Sequence, residues 1–199
     1  MHVPPLSPFP MSAPLDLLNQ RHSVPSRQLG EPAPDDATLR ALLQAAIRVS
    51  DHGKLVPFRL IELRGEAKLQ FGERLAERAI ARDPDLPESK QEKERLRYTF
   101  APLVIVVLAC LHPDSSVPEI EQKLCAGNVA CNLLLGAHAL GYGAQWLTGW
   151  AAYDDEAARI IGLGAHEHVI GFVHIGTPRI DVPDRDRPAL DDLLSTWTP

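Results

Sequence analysis

Residues 101–111 read APLVIVVLACL, the most apolar run in the 199-residue chain. The run is well short of the roughly 20 residues that a bilayer-spanning helix needs. Its β-branched content, bounded by Pro102 and Pro113, predicts a core strand with neighbours covering both faces. C-terminal to it, residues 119–140 form the longest helical candidate, apolar nearly all round from Val129 onward (VACNLLLGAHAL), with Gly141 as C-cap. So apolar a helix is expected at the centre of the fold. Beyond it lie a compact Gly and aromatic segment, GYGAQWLTGW (141–150), a short helix over 154–161 and a strand over 168–175 that Gly176 closes.

N-terminal to the same run, residues 88–98 predict a highly charged helix and residues 66–82 a helix with charge on its outer face. A short strand, RLIEL (59–63), follows the break at Pro57. Before it, Leu39, Leu42, Leu43, Ala46 and Ile47 recur at i, i+3, i+4, i+7 and i+8, an amphipathic helix with Asp35 or Asp36 as N-cap. Strands and helices alternate irregularly, which predicts an α+β fold with a mixed or antiparallel sheet. A Rossmann fold is disfavoured because no GxGxxG follows any strand.

The formal charge of -6 gives no basic stripe for nucleic acid. Cys110, Cys125 and Cys131 are odd in number and show no CxxC pair, so reduced thiols in the cytoplasm are expected rather than a disulfide framework or a zinc site. Cys125 and Cys131, six apart on one helix, sit about 240° round from one another and do not form a redox pair. Residues 1–14, rich in proline, have no basic start followed by an apolar stretch and are expected to form a flexible tail. No functional reading depends on whether translation starts at Met1 or Met11. Residues 15–199 are expected to form a single domain.

Four groups of residues invite a chemical reading. Arg21, His22 and Ser23 gather two cationic-capable side chains and a hydroxyl at a helix end, which suits a phosphate and also an ordinary solvated terminus. Arg48 and His52 lie where a helix gives way to a loop forced by Gly53 and Pro57, a usual place for ligand contacts, and Asp51 and His52 read equally as a cap and a surface histidine. Arg185 and Arg187, two apart in an extended chain, place both guanidinium groups on one face, which suits a phosphate dianion and also occurs in an ordinary soluble tail. His166 and His168, with His112, His138 or His174, would be the ligands of a metal hydrolase, but no recognised zinc spacing is present.

Taken in order, RHS, AAIRVSDHGKLVPFRL, AGNVACNLLLGAHALGYGAQWLTGW and VIGFVHIGTP resemble the nitroreductase-like FMN oxidoreductases, in particular their small, short-insertion NAD(P)H nitroreductases. Each motif is weak alone, and four in sequence are specific. The resemblance runs from about Leu15 to about Pro188. It implies a central mixed, mainly antiparallel sheet flanked by helices, an intertwined homodimer, and one FMN in each of two clefts at the subunit interface.

By the same resemblance Arg21, His22 and Ser23 reach the ribityl phosphate and the pyrimidine side of the flavin. Arg48 and His52 form the second flavin-contacting segment, and Trp146, Leu147 and Thr148 line the isoalloxazine. Arg185 and Arg187 take the phosphate. An aromatic beside Gly141 and Gly143 also reads as plain packing, so the role of Trp146 rests on the resemblance alone. Val49, Ser50, Asp51, His52 and Pro57, Phe58 stand where relatives often have Ala-Pro-Asp-His and Pro-Trp, and Pro25 stands where many have a flexible residue. These departures bear on the substrate pocket more than on flavin binding, and Arg27 receives no role.

The activity so implied is hydride transfer from NADH or NADPH, through flavin N5, to an electron-poor small molecule such as a nitroaromatic or a quinone. No protein nucleophile or general acid is assigned, since the cofactor carries the electron chemistry. A non-catalytic FMN carrier or sensor would show much the same sequence.

Overall fold

The computed structural model describes residues 13–199, and of Ala13 and Pro14 only the backbone. Residues 1–12 of the expected tail lie outside the described residues, and Ala13 and Pro14 already belong to helix α1 (Ala13–Gln20). There follow β1 (Leu29–Gly30), α2 (Asp36–Ala46), β2 (Phe58–Arg64), α3 (Glu66–Arg82), α4 (Glu88–Leu96), β3 (Leu103–Cys110), α5 (Glu119–Ala139), β4 (Gly143–Leu147), α6 (Asp155–Ile161) and β5 (Glu167–Pro178). Strand β3 lies between β2 and β5, and both β4 and β1 pair with β5. Every strand pair is antiparallel.

The APLVIVVLACL run is the core strand its composition predicts, buried from Leu103 to Ala109. Side chains alternate between its two faces. Leu103, Ile105 and Val107 pack with Leu39 and Leu42 of α2 and Val129 and Leu133 of α5. Val104, Val106 and Leu108 pack on the other side with Phe71 and Leu75 of α3 and with Tyr98. Each such side chain, fully buried, contributes about 1.5–3 kcal/mol. The sheet is therefore the middle layer of three.

Local signals set the helix ends. Asp35 caps α2 by accepting from the Thr38 amide at 2.7 Å. At the end of α5 the Tyr142 amide donates to the Ala137 carbonyl and the Gly141 amide to the His138 carbonyl, both at 2.9 Å. That is a Schellman motif, which Gly141 permits by its φ of 82°.

Three features depart from the sequence reading. The segment 141–150 contains strand β4, which its Gly content concealed and which the ladder with β5 creates. Strand β5 continues through Gly176 to Pro178. Glycine stands at 176 because a Cβ there would lie 2.6 Å from Pro102 Cδ and 2.9 Å from the Gly30 carbonyl. Helix α5, expected to be enclosed, is covered on one side only: Ile120 is 62% exposed and Leu124 60% exposed. Among the described residues no helix is long and apolar enough to cross a membrane.

Candidate functional site

Helix α1 ends just before Arg21, and the next residues are strapped to β4. The Val24 amide donates to the Ala144 carbonyl at 3.1 Å, and the Ser26 amide to Gln145 Oε1 at 2.7 Å. This holds Arg21, His22 and Ser23 beside the start of that strand. His22 lines a cavity of about 240 Å³ together with His138, Tyr142 and the arm residues Ile180, Asp181 and Val182 that follow β5. The imidazoles of His22 and His138 meet edge to face, 6.3 Å apart. Burial, then His22 and Arg21, push the His138 pKa down.

The two remaining phosphate candidates lie farther along the same arm. Asp184 is held below the usual carboxylate range chiefly by its hydrogen bond with Arg187, with a smaller contribution from His22. Arg187 is thus tied to Asp184, whereas Arg21 and Arg185 form no ion pair among the described residues. The structure therefore gathers Arg21, His22 and Ser23 at one end of β4, while Arg185 and Arg187 lie exposed in the arm that follows β5.

Trp146, Leu147 and Thr148 occupy the other end, about 13 Å along the strand from Gly143. The Trp146 indole is committed to packing. It lies against Gly171, where a Cβ would fall 1.9 Å from its Nε1, and that nitrogen donates to the Ile170 carbonyl at 3.1 Å. Gly171→Ala is accordingly expected to cost about 1–3 kcal/mol by overpacking, read as a lower urea midpoint. Just beyond the strand, the amides of Thr148 and Gly149 have no hydrogen-bond acceptor among the described residues. Gly149 has φ 69° and ψ -175°, a conformation essentially restricted to glycine. Sequence reading missed this pair of free donors, because pairing is a property of the folded backbone.

Arg48 and His52 lie elsewhere. The Asn132 side chain of α5 donates to the Ala46 carbonyl at 3.1 Å and the Arg48 carbonyl at 3.3 Å. Asp51 accepts from the Leu55 and Val56 amides, and His52 Nδ1 lies 2.7 Å from Glu121 Oε2. His22 thus meets α5 at His138 and His52 meets it at Glu121, 17 residues or about 25 Å apart along the helix. Within one chain His52 therefore stands apart from His22, whereas the Arg48 backbone meets α5 at Asn132, six residues or about 9 Å along the helix from His138.

His112, His166 and His168 line another cavity, of about 380 Å³. Among the described residues no three His, Cys, Asp or Glu side chains come together as a metal site. His174 lies apart from them, fully buried beside Tyr98.

A sequence profile of the Nitroreductase family matches residues 18–177. The chain belongs to the nitroreductase family. Its members are flavin-dependent oxidoreductases, so the chain is assigned to that class of enzyme. It is 31% identical over 176 residues to the "Putative NAD(P)H nitroreductase YdjA" of Escherichia coli K12, a match covering 85% of this chain and 94% of the relative. A Haemophilus influenzae protein, "Putative NAD(P)H nitroreductase", is 35% identical over 164 residues, with 82% and 87% covered. Among solved structures, the nitroreductase-like family protein of Bacillus cereus superposes with a TM-score of 0.77 at 20% identity, over 92% of this chain and 95% of that one. A "putative nitroreductase" from Desulfovibrio desulfuricans, solved in complex with FMN, gives 0.69 at 22% identity, over 93% and 97%. These likenesses establish the nitroreductase fold.

Proposed function

We propose that this nitroreductase-family chain is a homodimeric FMN enzyme that oxidises NADH or NADPH and reduces an electron-poor small molecule, such as a nitroaromatic or a quinone, by ping-pong exchange. The observation that carries the flavin reading is the strand β4. Two hydrogen bonds from the Val24 and Ser26 amides fix the chain just after Arg21, His22 and Ser23 to one part of it, and its other end runs into the amides of Thr148 and Gly149, which have no acceptor among the described residues. Cationic and hydroxyl donors at one end suit a phosphate dianion, and unpaired N–H groups at the other suit the ring acceptors of a flavin. The residues present therefore fit FMN.

In this reading Arg21, His22, Ser23, Arg185 and Arg187 hold the phosphate, while the backbone at Leu147, Thr148 and Gly149 orients the ring. Trp146 supports that backbone from beneath through its packing on Gly171. When bound, FMN supplies the hydride-accepting position and the two-electron chemistry. The chain contributes placement, positive potential and exclusion of water.

A second copy accounts for Arg48 and His52. Ile120, Leu124, Asn128, Cys131, Leu135 and Ala139 recur every three or four residues along α5, a single stripe. Leu135 is half-buried and the other five are exposed. The arm after β5 exposes Leu190, Leu193, Leu194 and Trp197. Covering the stripe with a second copy would bring that copy's Arg48 and His52 segment toward the flavin cleft of the first. The arm would supply the intertwining.

The direct test is the visible spectrum of the purified protein, with the denatured supernatant compared against FMN, before and after anaerobic NADH or NADPH. A flavin spectrum bleached by one nicotinamide is expected. Protein that is colourless and takes up no added FMN would overturn the site assignment. Bound FMN reduced by neither nicotinamide would favour a carrier or sensor.

A further inference from the structure

The segment from Gly149 to Asp154 is gripped from outside the sheet by side chains of α3 and α4. Arg97, at the end of α4, makes a two-pronged contact with Glu94, Nε to Oε2 at 3.0 Å and Nη2 to Oε1 at 2.6 Å. Glu94 Oε2 also accepts from Trp150 Nε1 at 2.8 Å. The Arg82 guanidinium lies over the Trp150 ring at 4.9 Å. Arg78 makes a two-pronged contact with Asp154, both arms at 3.0 Å, and Asp154 caps α6. Helix α4 itself buries none of its residues, so its contribution is not to the core.

Two features single out Arg97. Its Nη1 has no hydrogen-bond partner among the described residues, and a Cβ at Gly149 would lie 3.2 Å from that nitrogen. A fixed positive charge therefore sits against the backbone whose amides are free, held there by a carboxylate whose side chain is only 13% exposed. The guanidinium fork, pre-organised and always charged, suits such a placement better than a lysine would.

We propose that Glu94 and Arg97 are positioning residues of the flavin loop: they fix the Thr148–Gly149 backbone, and the Arg97 charge there favours reduced over oxidised FMN. This rests on the flavin reading above. Neither residue needs to touch the cofactor. A preorganised charge beside the site stabilises the electron-rich form without reorganisation cost.

The test uses the FMN-loaded protein and three variants: Arg97→Gln, Arg97→Lys and, as a control, Arg95→Gln. Arg95 belongs to the same helix and pairs with Glu73 and Glu92, away from the loop. The measurements are the FMN dissociation constant by flavin fluorescence, the midpoint potential against a reference dye, and the melting temperature of the apoprotein. Arg97→Gln is expected to weaken reduced FMN about tenfold more than oxidised FMN, a potential about 30 mV more negative for a two-electron couple. Arg97→Lys keeps the charge and is expected to restore most of the potential, while Arg95→Gln leaves it unchanged. An unchanged potential in Arg97→Gln, or an equal shift in Arg95→Gln, overturns the proposal while leaving the flavin reading intact. Wild-type protein that binds no FMN overturns both.

Discussion

Leu124→Glu is expected to turn the proposed dimer into a folded monomer that no longer retains FMN. Leu124 is 60% exposed in the single chain, so a carboxylate there costs the isolated fold little, within about 0.5 kcal/mol for a surface change. In the proposed dimer the same position lies within the α5 stripe, between Ile120 and Asn128. There, the carboxylate loses its water without gaining a partner. A penalty of about 3 kcal/mol would weaken association roughly a hundredfold. Flavin retention should fall with it, because His22 and His52 contact α5 at His138 and Glu121, too far apart to serve one ligand from one chain. Sedimentation velocity and flavin content of the same sample check both halves, with circular dichroism to show that the fold survives. An FMN-retaining monomer would sink the shared-site reading, and an unaffected dimer would move the interface elsewhere.

Lowering the pH from 6.5 to 4 is expected to remove about 3 kcal/mol of stability through one residue, His174. The side chain is fully buried between strand and helix layers, and neither ring nitrogen finds a partner among the described residues. Burial first, then Lys68 and Arg97, push its pKa down to about 4 from 6.5. Above pH 6.5 neither folded nor unfolded chain holds the proton, so His174 imposes no penalty. Below it the unfolded chain binds a proton that the folded chain refuses, and stability falls by about 1.4 kcal/mol per pH unit until the folded state is protonated near pH 4. Glu167, held at about 2 by Arg59, loses its own contribution only below about pH 4.5. Urea midpoints at pH 7 and pH 4.5 should therefore differ strongly in the wild type and much less in His174→Leu. An equal difference in both would show that acid acts elsewhere.

The sequence carried the fold further than it carried the site. The 101–111 run showed its burial because seven consecutive residues from Leu103 to Ala109 are needed on both faces of a sheet. Helix α2 was legible from its apolar spacing and Asp35 cap, and the end of α5 from Gly141. Strand β4 was not, since Gly143 must be glycine to let Leu29, Pro178 and Val24 approach, and glycine is a poor strand former. Its strand character comes from β5 alone.

By itself, then, the sequence determined the family, the α+β class, the core strand and the residue types that suit a phosphate. The family rests on the resemblance of four ordered motifs; the rest depends on composition and short-range spacing, which the chain shows directly. Tertiary structure decided that Arg21, His22 and Ser23 lie along β4, that the Trp146 indole is spent on Gly171, and that the Thr148 and Gly149 amides find no acceptor among the described residues. It also decided that His52 stands at the far end of α5 from His22, and that Arg97 backs Gly149. Each of these rests on which distant segments meet, and on which polar groups stay unpaired once they have met. Neither is encoded in local pattern.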